Sequence, residues 1–182
     1  MKRRSFLAAI FVLAPGAAFA QIGIEVLQRR PLAEAARDGN MDALRARIGA
    51  NESPNQLDLE HRPAILLAAA NNHLDAVRLL LEHRANPDVR DRQNRTALMW
   101  AAERGHARIV EALVQGRANL NLDDRTGNTA LMIAAREGQT RVVELLLRAG
   151  ADRNKLDATG RSALDIAEAH NRRAAADVLR RP

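Results

Sequence analysis

Residues 91–123 read DRQNRTALMWAAERGHARIVEALVQGRANLNLD, and residues 124–156 read DRTGNTALMIAAREGQTRVVELLLRAGADRNKL. Aligned from Asp91 and Asp124, they share Thr-Ala-Leu-Met, Ala-Ala, Gly, Val-Glu and Leu at matching offsets. The period is 33 residues; one step back lands on Asp58 and one step forward on Asp157. A fixed period of this length marks a stacked array, in which each unit buries its apolar face against its neighbours.

The shared positions carry a resemblance. Asp-x-x-Gly-x-Thr-x-Leu-x-x-Ala-Ala-x-x-Gly, followed by Val-Val-x-Leu-Leu-Leu-x-x-Gly-Ala-Asp-x-Asn, resembles the ankyrin repeat, and the likeness covers nearly everything after about residue 24. It implies an all-α ankyrin-repeat solenoid of about five 33-residue helix-turn-helix units, joined by β-hairpin-type turns. The expected units are 21–57 as N-terminal cap, then 58–90, 91–123, 124–156, and 157–182 as C-terminal cap. Arg47 stands in the first unit where later ones have Leu80, Leu113 and Leu146, as suits an end that has no outer neighbour.

Departures from the pattern are as informative as matches. Asn72 and Asn171 stand where other units have Gly39, Gly105 and Gly138. That position should be the left-handed residue closing the first helix, and Asn is the usual substitute for Gly there. Thr96, Thr129 and Ser162 each precede an apolar helical run and should cap it through their hydroxyls. Met99 and Met132 replace the family's histidine, and we expect both in the core.

The start of the chain reads differently. Met1-Lys2-Arg3-Arg4 leads into an apolar run from Phe6 to Ala14, and Ala18-Phe19-Ala20 offers a cleavage site. This predicts a signal peptide over residues 1–20, cut before Gln21. Arg3-Arg4 fits either an ordinary secretory leader or a twin-arginine one. The expected address is the periplasm of a bacterium, with no stable membrane insertion after cleavage. Cleavage would remove all three Phe residues and lower the formal charge from +6 to +3 on 162 residues, leaving Trp100 as the only aromatic side chain.

Chemistry has few places to reside. Asp58, Asp91, Asp124 and Asp157 each open a turn one repeat apart, too far from one another for a shared-proton pair, and aspartate opens turns for its own structural reason. The histidines His61, His73, His83, His106 and His170 lack metal-ligand spacing, and there is no cysteine. No metal, no cofactor and no enzymatic activity are expected. Single-stranded nucleic acid calls for several aromatic platforms. Only Trp100 is available, and its equivalents Leu67, Ile133 and Ile166 suggest a core position, so nucleic acid is not an expected partner.

A protein-binding face is what the resemblance leaves. The family binds with its turn tips and the inner faces of its first helices. Carried over by repeat position, the tips supply Arg62, Arg92, Arg95, Arg125, Asn128 and Arg161; the first helices supply Asn71, Glu103, Arg104, Arg136, Glu137 and His170. Arginine at these positions suits carboxylate recognition. The expected role is a non-enzymatic accessory or regulatory factor for an exported partner with an acidic surface, monomeric when free. An immunity protein against a secreted toxin and a structural envelope component are the alternatives.

Overall fold

The structure, a computed structural model, describes residues 31–181. The leader expected over residues 1–20 and the covering segment over 21–30 lie outside the described residues.

Ten helices form five antiparallel pairs among the described residues: α1 (Pro31–Asp38) with α2 (Met41–Gly49), α3 (Ala64–Ala70) with α4 (Leu74–Glu82), α5 (Ala97–Arg104) with α6 (Ala107–Gln115), α7 (Ala130–Glu137) with α8 (Thr140–Arg148), and α9 (Ala163–Ala169) with α10 (Arg173–Arg180). First helices stack on first helices and second on second, giving two layers. The first layer is the tighter, because alanines line its seams: Ala68, Ala69, Ala101, Ala102, Ala134 and Ala135 are all fully buried. The second layer is filled by larger residues, with Leu44, Val77, Leu80, Ile109, Leu113 and Leu146 wholly enclosed. Burying each is worth roughly 1.5–3 kcal/mol.

The helix ends follow the chain's own punctuation. The hydroxyls of Thr96, Thr129 and Ser162 accept from the backbone N–H groups of Met99, Met132 and Asp165 at 3.3–3.4 Å. Met99 and Met132 are both buried. Asn72 and Asn171 adopt the left-handed conformation (φ 62° and 56°) that Gly105 and Gly138 adopt in their units. Arg47, at the end unit's core-type position, is instead exposed and bonded to Glu52 at 3.1 Å.

The expected β-hairpin turns do not form. Among the described residues there is no β-strand; Leu57 with Pro63 and Asp123 with Thr129 are isolated antiparallel bridges. The repeated aspartates are the cause. At each tip one carboxylate oxygen accepts two backbone N–H groups, two and four residues on: Asp58 takes those of Glu60 and Arg62, Asp91 those of Gln93 and Arg95, Asp124 those of Thr126 and Asn128, and Asp157 those of Thr159 and Arg161. Donors that a ladder would need are consumed by a side chain. Successive tips touch through single backbone bonds, Arg125 to Gln93 at 3.2 Å and Ala158 to Thr126 at 3.1 Å.

Two further columns tie the units together. Beside the first helices, His73 Nε2 meets the Arg37 carbonyl at 2.9 Å, Gln139 donates to the Glu103 carbonyl at 3.2 Å, and Arg172 to that of Arg136 at 2.9 Å. At the opposite edge Asn55, Asp88 and Asn121 accept from the backbone N–H groups of Asn86, Asn119 and Asp152 in the next unit.

Candidate functional site

The tips and the exposed flanks of α5 and α7 present the arginines singled out by sequence, and their surroundings divide them sharply. Arg62 is committed to its own tip: Nε donates to Asp58 Oδ2 at 2.8 Å, and a terminal nitrogen reaches Glu60 at 2.8 Å. Arg161 does the same at the far end, with Nε and a terminal nitrogen at 3.1 and 3.0 Å from Asp157 Oδ2. Asn128 donates to Thr126 Oγ1 on its own tip at 2.6 Å. Arg136 pairs with its neighbour Glu137 at 3.0 Å. These four shape the surface that carries them.

The remaining four face outward or gather at one place. Arg92 is exposed and reaches His61 Nδ1 on the preceding tip at 3.0 Å. Arg125 is exposed on the following tip, whose backbone touches that of Gln93. Arg95 and Arg104 lie over the indole of Trp100, with guanidinium carbons 4.1 and 5.6 Å from the ring centroid.

Trp100 is the residue that reading by position misplaced. Its equivalents Leu67, Ile133 and Ile166 are buried as expected, but Trp100 is only partly covered, at the margin of the core. A half-buried indole N–H needs an acceptor, and it finds Asp91 Oδ2 at 3.1 Å. That is the oxygen which Arg62 and Arg161 use in their own units. Displaced from it, Arg95 donates to Glu103 Oε2 at 2.6 Å, while its buried Nε has no acceptor. The available signal was chemical: an indole donor nine residues after a carboxylate that already organises the tip.

Two of the tip carboxylates, Asp58 and Asp157, are held in the charged form. Hydrogen bonds from Thr159's hydroxyl and from the backbone and side chain of Arg161 hold Asp157 well below the usual carboxylate range. At Asp58 burial pushes the other way, but hydrogen bonds and charge from Arg62 prevail and the group is also lowered. Such carboxylates stay ionised and occupied, which suits turn anchors and not proton shuttles. Among the described residues no group of three or more His, Cys, Asp or Glu is placed to hold a metal ion, and no helix is long and apolar enough to cross a membrane.

The family model for ankyrin repeats (three copies) matches residues 32–124 and again 116–181. The chain belongs to the ankyrin-repeat family. Comparison with curated proteins gives no match. An ankyrin-repeat array is a non-catalytic scaffold for protein–protein interaction, and the committed tip carboxylates of this chain agree with that role.

Proposed function

We propose that this ankyrin-repeat protein is exported and serves in the periplasm as an accessory or regulatory factor for a partner with an acidic surface. The observation that carries the binding face is the pair Arg95 and Arg104 over Trp100, with Arg92 and Arg125 exposed on the tip of the same unit and on the next. Trp and Arg are the residues that most often supply binding energy at protein interfaces. The address rests on the basic, apolar and Ala-x-Ala run of residues 1–20.

The test is capture of the C-terminally tagged full chain from the periplasmic fraction of a bacterial host cell, with bound proteins identified by mass spectrometry. The captured chain should begin at Gln21; an uncut chain held in the cytoplasm would overturn the address. Charge reversal belongs at Arg92, Arg104 and Arg125, because reversing Arg62 or Arg161 would also break a tip through Asp58 or Asp157. One dominant partner, lost from the triple Arg→Glu variant, is the expected result. A partner kept by that variant would move the interface to another face. The partner's identity, an enzyme or a toxin, separates the regulatory role from immunity.

A further inference from the structure

The unit of α5 differs in one exchange of partners from the two other units that have an arginine at the same tip position. In the units of α3 and α9 that arginine takes its own aspartate's second oxygen, Arg62 on Asp58 at 2.8 Å and Arg161 on Asp157 at 3.0–3.1 Å, while the unit of α7 has Asn128 there. In the unit of α5 the indole N–H occupies that oxygen, and Arg95 turns instead across the indole face to α5. Glu103 then supplies one oxygen to one terminal nitrogen of Arg95, and the buried Nε is left without an acceptor.

We propose that Glu103 is an internal stand-in for a carboxylate of the partner. In the complex, a Glu- or Asp-rich segment of the partner protein takes Glu103's place on Arg95 and lies across Trp100, with Arg104 as its second contact. This rests on the protein-binding reading above and names the chemistry at its centre.

Three features carry it. The pair is half open: Arg95's side chain is 17 % exposed and Glu103's 30 %, so the carboxylate can leave to solvent where a wholly buried one could not. Charge is uneven: two guanidinium groups share the ring while Glu103 serves one of them. Arg104 is exposed and has no ion pair among the described residues. Arg92 on the same tip and Arg125 on the next add further positive charge, neither with a carboxylate partner among the described residues. Finally, the indole is a flat, fixed shelf anchored through Asp91, so a partner's side chain meets a surface that is already ordered, which lowers the entropy cost of binding.

Trp100 also makes the test direct. It is the only Trp, and the chain has no Tyr, so selective excitation of the indole reports this site alone. The purified full chain is titrated with a blocked hexaglutamate peptide, with hexalysine and inorganic phosphate as controls. A saturable change of emission with hexaglutamate alone is expected. Glu103→Gln, which keeps the side chain's size and removes the competing charge, should bind roughly 5-fold tighter, and Arg104→Glu at least about 5-fold weaker.

Circular dichroism and melting of both variants separate folding from binding; if Glu103→Gln unfolds, Glu103→Ala takes its place. Equal or weaker binding by a folded Glu103 variant would overturn the stand-in. An equal response to phosphate, or no response to hexaglutamate, would overturn the acidic-segment site. If the captured partner stays bound to Arg104→Glu, this inference fails while the binding module stands. Loss of every partner from the unmodified chain would instead sink the broader reading.

Discussion

Arg84 and Arg117 occupy the position that Gly150 fills one unit later, and all three are left-handed, with φ of 63°, 61° and 91°. The side chain of an L-residue is crowded there, and glycine is not. Arg84→Gly together with Arg117→Gly should therefore raise stability by roughly 1 kcal/mol, after allowing for the greater freedom glycine gives the unfolded chain. Urea unfolding checks this; a less stable double variant would show that the exposed arginines make contacts worth more than the strain. A second expectation concerns pH. Burial, with the nearby Arg104 charge, lowers His106 below its ordinary value even though a hydrogen bond with the Ala70 carbonyl opposes this. A depressed folded value means stability that is complete above the unfolded pKa of about 6.5 and is lost as pH falls through the folded one. Asp157, Asp58 and Asp165 are lowered too, so their contributions are complete above about pH 4 and are lost below it. Melting temperature should be flat above about pH 7, sag below about 6.5 and drop steeply below about 4. His106→Gln, which copies Gln139 of the next unit, should abolish the sag and leave the steep drop; an unchanged profile would acquit His106. The caps, the left-handed asparagines and the buried methionines were legible in sequence because each depends on its own type and its immediate neighbours. Trp100 was not, because its place is set by an indole donor that takes the oxygen of Asp91 whose equivalents at Asp58 and Asp157 accept from arginine.

Between helix pairs, the tips as well as the helices rest on one another. The repeat pattern carries the ten helices, since their apolar spacing and stops lie within each unit. It does not carry the conformation of the tips, because a carboxylate that absorbs two backbone donors and a strand ladder that shares them are both consistent with Asp-x-x-Gly. Tip stacking can nevertheless be measured with two glycines of nearly equal backbone. Gly127 (φ 79°) and Gly160 (φ 81°) are each left-handed, so alanine meets the same intrinsic strain at both. A Cβ on Gly127 would lie 2.6 Å from the backbone nitrogen of Ala158 on the following tip, whereas one on Gly160 would meet nothing within 4 Å. Backbone cannot rotate aside as a side chain can. Gly127→Ala should thus cost at least about 1 kcal/mol more than Gly160→Ala, because overpacking adds to the strain and disturbs the Ala158–Thr126 bond. Equal losses in urea unfolding would mean that the tips stack too loosely to matter.

The array as a whole buries its apolar surface between neighbours, so stability is the sum of unit terms and interface terms along one axis. A defect should then act differently according to where along that axis it falls. Leu44 in α2, at the repeat position of Val110, and Leu113 in α6 are both fully enclosed on second helices, so truncating either to alanine costs about 2–5 kcal/mol at its own site. Leu113 has second helices packed on both sides, α4 and α8, and its loss weakens two interfaces in the middle of the stack. Leu44 is near one end of the described array, where α1 and α2 can open while the rest persists. Trp100, in the central unit, reports local unfolding by fluorescence, and far-ultraviolet circular dichroism reports all helices together. For Leu113→Ala the two signals should fall together at a lower urea concentration. For Leu44→Ala the dichroism should begin to fall early while the Trp100 midpoint stays near that of the unaltered chain. If both signals shift together in both variants, the units are coupled too strongly to open singly, and binding at Trp100 would then stabilise every helix pair alike. If they separate as expected, a partner held at Trp100 secures the centre and leaves the end pairs free to open.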